Sequence, residues 1–562
     1  MAVVTSVREV TEPVRHAWRV AVRNYLRSTR SAGLLLALGA GAATAQAPGA
    51  ATQFRVRVPA GVDAQPITGR VYVMISRTDN REPRLQVGRT GIPFFGHDVV
   101  QLAPGTRAVI DGRDLGFPVD RMADLPAGDY YVQGFVNRYS EFKRADGHTL
   151  WMHDDQWEGQ QWRISPGNLY SDVQKVHLDP RRGWNVDLVA SHVIPPVQVP
   201  ADTKWVKHFK IQSSMLTKFW GRPIYLGATV LLPRGYDEDT THYPVLYEQG
   251  HFSLRPPLGF REGADLYQPW TAGNLPHVIV VTFQHPTPYF DDSYAVNSVN
   301  VGPYGDALLQ ELIPEIEKRY RTISQPWARW LSGGSTGGWE SLALQIFHPD
   351  FFGGTWSYCP DPVTFTNVEG YNVYEDTNAY VRQRGWVVTP IPNSRMTDGS
   401  ILTTSRQRNY FELASGTHGR SGEQQDIWEA VFGPLGDDGY FKPVFDKRTG
   451  TMDHDVAAYW RDHFDLLEYL KRNWSTVGPK LQDKMHIYVG TMDTYYLDVA
   501  VRQLQAWMKT TQNPHDEGYF EYGLFKPHCY TGRVSSAERL QEMATFAEAH
   551  MPPGSSTAWW NR

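Results

Sequence analysis

The hydrophobic pattern of the chain changes near residue 200, and this change constrains the fold more than any other feature. Before it, residues 52–190 alternate apolar and polar positions, as in Gly69–Ile75. A period of two is typical of strands with one buried face. After it, apolar runs such as Val278–Thr282 alternate with helical stretches. We therefore predict a β-sandwich-like domain at 52–190, a linker at 191–205 and an α/β domain at 206–552 with a mostly parallel sheet.

Length and composition describe a globular protein with more than one core. The chain has 562 residues, more than a single core commonly supports. Hydrophobic residues make up 41% and charged residues 20%, which argues against a disordered or membrane-spanning chain. The net charge of −5 gives no basic face, so we expect no nucleic-acid partner. Residues 360–480 interrupt the strand–helix alternation, and we expect them to form an insertion over the carboxyl edge of the sheet.

The first 47 residues have the pattern of an export signal. Six arginines precede the apolar run Gly33–Ala40, and small residues follow it up to Ala45-Gln46-Ala47. This run is too short to cross a bilayer, which needs roughly 18 apolar residues. We therefore predict a signal peptide at 1–47 and a secreted or periplasmic protein without a membrane span. An organelle transit peptide is the alternative.

The sharpest motif is Gly333-Gly334-Ser335-Thr336-Gly337, which fits G-x-S-x-G. A serine in this motif lies on a strained turn from a strand into a helix, where bulky neighbours would clash. A strand-like segment precedes the motif and an amphipathic helical pattern follows it. We therefore predict Ser335 as a nucleophile and the backbone N–H of Thr336 as an oxyanion donor. A chance match in a glycine-rich loop is the alternative.

A nucleophile of this kind needs an acid and a base, which follow it in the order Asp or Glu, then His. Asp493 ends the strand-like run that begins at Met485, and His528 lies in a loop after the last expected strand. We predict that His528 removes the serine proton and that Asp493 holds its tautomer. A turn-stabilising role is the alternative for Asp493, and Asp498 is the second choice for the acid. His515 is less plausible as the base because it precedes the last strand.

The second oxyanion donor is expected in the loop after Val245–Tyr247, where Gly250 permits a close backbone approach. We predict the N–H of His251 as this donor, with a contact between its ring and the substrate as the alternative. Met152–Asp155 and Asp453–Asp455 contain potential metal ligands but no spaced third and fourth partners. We therefore predict no metal site, and we expect no cofactor.

These motifs resemble the putative-esterase family of α/β hydrolases, which includes feruloyl esterases, enterochelin esterases and mycolyltransferases. The resemblance covers residues 206–550 and includes Leu231–Asp237, Glu311–Pro314 and Gly490–Asp493. It implies an α/β-hydrolase domain that hydrolyses a small-molecule or polymer-linked carboxylic ester through an acyl-serine intermediate. The chain departs from the family pattern at Gln249, where such proteins commonly carry histidine. Acyl transfer, peptide hydrolysis and a non-catalytic binding role are the alternatives; the ester and the oligomeric state stay open.

The sequence contains two cysteines, Cys359 and Cys529. Cys359 ends the strand expected after the nucleophile helix, and Cys529 directly follows His528. Both are therefore expected at the carboxyl edge of the sheet. We predict a disulfide between them that holds the histidine loop in place. Two buried free thiols are the alternative.

We predict that the mature protein begins at Pro48, because the Ala45-Gln46-Ala47 sequence fits a cleavage site after Ala47. Amino-terminal sequencing of protein recovered from its native host measures this directly. A mature chain that begins before residue 30 would rule out the predicted cleavage.

Overall fold

A computed structural model describes residues 51–560, so the predicted signal peptide at 1–47 lies outside the described residues. Residues Ala50–Arg562 cluster into one compact unit. Among residues 51–560, no helix combines the length and the apolar content that a membrane crossing requires.

The first sheet spans residues 52–193 and has ten strands. They are β1 (Thr52–Arg57), β2 (Ile67–Ser76), β3 (Phe94–Leu102), β4 (Arg107–Asp111), β5 (Gly116–Phe117), β6 (Gly128–Lys143), β7 (Thr149–His153), β8 (Leu169–Ser171), β9 (Gln174–Leu178) and β10 (Trp184–Val193). Their spatial order is β4-β1-β10-β8-β6-β2-β3-β5, and β7 and β9 both pair with β6.

The strands of this sheet alternate as the sequence predicts, and both faces are covered. On β2, Val71 and Val73 pack in a core that the first sheet forms by itself. Tyr72 and Met74 point to the opposite face and pack in a cluster that includes Phe411. The predicted strand at Gly69–Ile75 is confirmed, but it is buried on both faces and not on one, because each face packs in its own cluster. The sandwich-like arrangement stays a prediction.

The second sheet contains eight of the fourteen strands that follow β10 along the chain. The strands after β10 are β11 (Val206–Ser213), β12 (Ile224–Leu231), β13 (Val245–Gln249), β14 (Ile279–Gln284), β15 (Asn297–Ser298), β16 (Gly302–Pro303), β17 (Arg329–Gly334), β18 (Gly354–Tyr358), β19 (Val381–Arg384), β20 (Val387–Pro390), β21 (Pro392–Arg395), β22 (Ile401–Thr404), β23 (Met485–Gly490) and β24 (Tyr519–Gly523). The sheet order is β11-β12-β14-β13-β17-β18-β23-β24. The pairs β11–β12 and β12–β14 are antiparallel and the others are parallel, so the predicted α/β class with a mostly parallel sheet is confirmed.

The helices lie between the strands of the second sheet, in the long connection between β18 and β23, and after β24. They are α1 (Ser214–Trp220), α2 (Tyr267–Ala272), α3 (Tyr304–Ala307), α4 (Ile313–Arg319), α5 (Thr336–Phe347), α6 (Ser405–Ser415), α7 (Gln424–Phe432), α8 (His454–His463), α9 (Leu466–Leu481), α10 (Leu497–Met508) and α11 (Ser536–His550). A π-helical turn, Leu308–Leu312, separates α3 from α4. Pro314 has no N–H to donate, which accounts for the loss of regular α-helical bonding here.

Residues 359–484 connect β18 to β23, which are neighbours in the sheet. This segment, predicted as an insertion at 360–480, contacts the first sheet through α6. The Phe411 ring packs against Phe94 and Phe117, with centroids 5.9 and 5.4 Å apart. Arg70 Nη2 donates a 2.9 Å hydrogen bond to the carbonyl of Ala414. The insertion therefore joins the first sheet to the second, and the division into two domains at 191–205 stays a prediction.

Candidate active site

Ser335 lies between β17 and α5 with φ 58° and ψ −120°. This backbone conformation is strained for a residue other than glycine. The two glycines of the motif have no side chain, so other backbone segments can approach them closely in the sharp turn. A Cβ added at Gly333 would lie 2.2 Å from the carbonyl oxygen of Gly337, and one added at Gly337 would lie 2.1 Å from that of Gln249. The turn therefore presents the serine at the carboxyl edge of the sheet, where side chains from neighbouring strand ends can reach it.

The structure brings Ser335, His528 and Asp493 into one hydrogen-bonded chain. Nε2 of His528 lies 2.9 Å from Oγ of Ser335, and Nδ1 lies 2.8 Å from Oδ2 of Asp493. The three residues follow the carboxyl ends of β17, β24 and β23 respectively. In the neutral ring, Nδ1–H donates to the carboxylate, which leaves Nε2 free to accept the serine proton. The geometry is that of a nucleophile, a base and an orienting acid.

Asp493 is fully buried and uses its two oxygens for different contacts. Oδ2 faces His528, while Oδ1 accepts hydrogen bonds from the backbone N–H groups of Tyr495 and Leu497 at 2.9 and 3.3 Å. The turn-stabilising contacts are therefore present, while Oδ2 faces the ring as the acid role requires; that role stays a prediction. The backbone bonds fix the carboxylate so that Oδ2 points at the imidazole.

The second choices from the sequence lie outside this chain of contacts. Asp498 accepts hydrogen bonds from Arg395 at 2.7 Å and from Arg502 at 3.4 Å. His515 contacts the carbonyl oxygen of Thr511 at 3.0 Å, before β24 begins.

The two predicted oxyanion donors lie on segments that touch each other. The N–H of Thr336 belongs to the first turn of α5, where backbone N–H groups have no acceptor within the helix. A Cβ at Gly337 would lie 2.8 Å from the backbone nitrogen of Gly250, so the loop that carries His251 packs directly on the nucleophile turn. The roles of Thr336 and His251 as donors stay predictions.

Asp361 is a second carboxylate at the nucleophile that sequence reasoning missed. Its Oδ1 lies 3.4 Å from Ser335 Oγ, and its Oδ2 accepts hydrogen bonds from Tyr294 at 2.6 Å and from Thr336 Oγ1 and Gln424 Nε2, both at 3.1 Å. Burial raises the pKa of Asp361 although these hydrogen bonds favour its charged form. The sequence feature that could have identified Asp361 is its position shortly after β18, at the sheet edge where Asp493 also lies.

Two cavities flank the nucleophile turn. One, of about 320 Å³, is lined by the turn itself and by both apolar and polar side chains, including Gly333, Gly334, Leu246, Leu540, Glu248 and Arg539. The other, of about 250 Å³, has a polar lining that includes Arg89, Trp162, Arg163, His251, Phe290 and Gln424. The first sheet, the second sheet and the insertion all contribute to the polar cavity. Gln424 connects it to the nucleophile turn through its bond to Thr336.

The predicted disulfide between Cys359 and Cys529 is wrong. Both cysteines are free; Cys359 is buried and Cys529 is exposed. They do lie at the sheet edge, where their sulfur atoms and a ring nitrogen of His528 are all within 4.8 Å of one another. The hydrogen bond with Cys359 lowers the pKa of Cys529, and so does His528, against the effect of burial.

His528, the proposed base, lies beside two groups that favour its charged form. Burial disfavours the charged ring of His528, but its hydrogen bonds to Asp493 and Cys529 outweigh this and raise its pKa. Since only the neutral ring can accept the serine proton, a thiolate at Cys529 restricts the reactive form to higher pH.

Comparison with known proteins gives a family for the central part of the chain. Residues 225–426 match the family model described as a putative esterase. The predicted family resemblance and the predicted class of carboxylic ester hydrolase are thereby confirmed at the level of the family.

A curated relative and several solved structures resemble the chain. An endo-1,4-beta-xylanase/feruloyl esterase of Xylanibacter ruminicola is 29% identical over 133 residues, which are 22% of this chain and 18% of that protein. A ferulic acid esterase structure is 17% identical and covers 57% of this chain and 90% of its own, with a TM-score of 0.34. An S-formylglutathione hydrolase from Agrobacterium tumefaciens is 12% identical over 62% and 95% of the two chains, with a TM-score of 0.33.

We predict that Cys529→Ser shifts the reaction of Ser335 to lower pH. Removing the Cys529 sulfur removes a partner that stabilises the imidazolium, so His528 loses its proton at a lower pH. The rate at which a fluorophosphonate modifies Ser335, measured across pH, reports this change. Cys359→Ala should shift the profile in the same direction, because Cys359 stabilises the thiolate. An unchanged profile in Cys529→Ser would contradict the role assigned to the thiolate.

Proposed function

We propose that the protein is a serine esterase that hydrolyses a carboxylic ester through an acyl-Ser335 intermediate. The observation that carries this proposal is the chain of two short contacts, 2.9 Å from Ser335 to His528 and 2.8 Å from His528 to Asp493, at a strained strand-to-helix turn. The putative-esterase match over residues 225–426 supports the same reaction class.

In the first half of the reaction, Ser335 Oγ attacks the ester carbonyl carbon while His528 Nε2 takes the hydroxyl proton. Asp493 stabilises the imidazolium that forms. Negative charge develops on the carbonyl oxygen, and the N–H groups of Thr336 and His251 are the proposed donors to it. The intermediate collapses when the C–O bond to the alcohol breaks and His528 protonates the departing oxygen. The products are a free alcohol and an acyl ester on Ser335.

In the second half, water replaces the alcohol. His528 takes a proton from the water, whose oxygen attacks the acyl carbon, and the proton then passes to Ser335 Oγ as the acid leaves. Asp361 Oδ1 lies farther from Ser335 Oγ than His528 does, 3.4 against 2.9 Å. The single hydroxyl proton therefore belongs to the contact with His528, and Asp361 holds the Thr336 side chain through Oδ2.

The polar cavity supports a substrate with a polar part. We propose that this cavity takes the part that carries hydroxyl groups, because Arg89, Arg163 and Gln424 offer donors there. A polymer-linked ester fits this arrangement, since the cavity is open at the surface. The feruloyl esterase in the name of the curated relative supports this choice. A secreted or periplasmic location, proposed from the leader pattern, places the protein where such polymers occur.

We predict that a fluorophosphonate labels wild-type protein at Ser335 and leaves Ser335→Ala unlabelled, because only an activated serine attacks phosphorus at a useful rate. Asp493→Asn and His528→Ala should each lower the turnover of a chromogenic ester by about 10³- to 10⁴-fold. The double variant Ser335→Ala with His528→Ala should lose little more than either single variant, since the residues act as a unit.

Matched controls test the assignment of each residue. His515→Ala removes an exposed histidine outside the hydrogen-bonded chain of Ser335, His528 and Asp493, so this variant should retain wild-type turnover. If Asp498→Asn loses as much turnover as Asp493→Asn, Asp493 is not the acid. Folded wild-type protein that shows no labelling would support the non-catalytic binding alternative, and acyl products on an added alcohol would support acyl transfer.

A further inference from the structure

His251, Asp291 and Asp292 place an imidazole nitrogen and two carboxylate oxygens close together beside the nucleophile turn. Nδ1 of His251 lies 3.0 Å from Oδ1 of Asp291 and 3.3 Å from Oδ2 of Asp292. All three atoms lie within 4.8 Å of one another. Two atoms that bind one ion at about 2.1 Å lie roughly 3.0 to 3.5 Å apart. The contacts of the imidazole to the two carboxylates therefore match the ligand shell of a metal ion.

In the described residues, His251 is the only ion-pair partner of Asp291 and Asp292. Asp292 is fully buried, and within residues 51–560 its Oδ2 accepts no hydrogen bond. Glu340, on α5, is also fully buried, and neither of its oxygens is hydrogen-bonded in the described part of the chain. Across the same residues, no arginine or lysine forms an ion pair with Asp291, Asp292 or Glu340. Buried carboxylates without such partners are costly, and a bound cation removes that cost.

His285 lies next to these groups but is not a ligand. Its Nδ1 accepts the backbone N–H of Ser293 at 3.1 Å. In the neutral ring the proton is then on Nε2, which lies 3.8 Å from Oε1 of Glu340. His285 therefore presents an N–H to Glu340, and the ligand atoms are those of His251, Asp291 and Asp292.

An ion can reach this cluster from solvent. The polar cavity of about 250 Å³ is lined by both His251 and Asp291, and the His251 side chain is 49% exposed. Asp292 closes the inner side of the cluster, since its side chain has no exposed surface. This arrangement leaves room for water molecules as further ligands on the cavity side.

We propose that His251, Asp291 and Asp292 bind a divalent cation that accepts both imidazole and carboxylate ligands. The bound ion joins the loop of His251 to the loop of Asp291 and Asp292, next to the buried charge of Glu340 on α5. Since the N–H of His251 is the proposed second oxyanion donor, the ion also fixes that donor against the nucleophile turn. The binding site itself does not depend on the proposed function; its effect on turnover does.

Mn²⁺ is the probe of choice because it favours carboxylate and water oxygens over thiolate ligands. Zn²⁺ would also bind the thiols of Cys359 and Cys529 with His528, the other cluster of potential ligands in the described residues. Chelator-treated protein is titrated with Mn²⁺, and the free ion is measured by electron paramagnetic resonance. We expect one bound Mn²⁺ per chain, and we expect Asp291→Asn and Asp292→Asn each to weaken binding at least tenfold.

The matched control is Asp114→Asn. Asp114 Oδ1 pairs with His97 Nδ1 at 2.8 Å, without a second carboxylate on that nitrogen, and this variant should bind Mn²⁺ like wild type. If an aspartate variant fails to fold, His251→Ala provides the same comparison from a half-exposed position. Absence of stoichiometric binding, or wild-type binding in the Asp291, Asp292 or His251 variants, would show that the cluster is an ion pair only.

The functional part is tested on the same protein. Adding Mn²⁺ to chelator-treated wild type should raise kcat with little change in KM, because the ion orders a donor that acts in the transition state. Bound Mn²⁺ without a change in kcat would overturn the link to the oxyanion loop while leaving the site intact. A different result would show that the proposed esterase function itself is wrong: a fluorophosphonate would then fail to label Ser335 even in Mn²⁺-loaded protein.

Discussion

The strained backbone at Ser335 is the constraint on which the rest of the site depends. A residue with φ 58° persists only if its surroundings hold it there, and the close contacts of Gly333 and Gly337 supply that hold. Gly337 rests against the carbonyl oxygen of Gln249, so the nucleophile and the proposed oxyanion loop form one packed unit. Any side chain at Gly337 would separate the two. The same turn exposes Oγ to a histidine that comes from another strand end.

The insertion and the first sheet complete the site around this turn. Gln424, the first residue of α7, bonds to Thr336 Oγ1 at 3.0 Å, and Arg89 of the first sheet region pairs with Glu423 at 3.3 Å. One wall of the polar cavity therefore comes from segments outside the α/β sheet. The proposed catalytic groups follow strands of the second sheet, whereas the proposed substrate contacts lie on the segments that differ most from a plain α/β fold.

The strands could be predicted from the sequence, and so could the proximity of Ser335, Asp493 and His528. Each of these predictions depends on a pattern in the local sequence. Ser335 was found through glycines that the turn requires, and Asp493 and His528 through their places after strands of a parallel sheet. Asp361 obeys the same edge rule but carries no motif, so it was missed. The cysteine prediction failed because edge position indicates proximity and not bonding: Cys529 faces His528 as well as Cys359. The contact between Gln424 and Thr336 could not be predicted, because the insertion lacks the regular alternation of strands and helices from which a position in the fold could be inferred.

The central claim is that Ser335 becomes acylated during turnover. A slow ester, quenched in acid during turnover and followed by peptide mass spectrometry, tests this most directly, because Cys529 is a rival nucleophile beside the same histidine. The account predicts an acyl adduct on the peptide that contains Ser335, which disappears as the ester is consumed. An adduct on Cys529, or turnover with no adduct on Ser335, would contradict it.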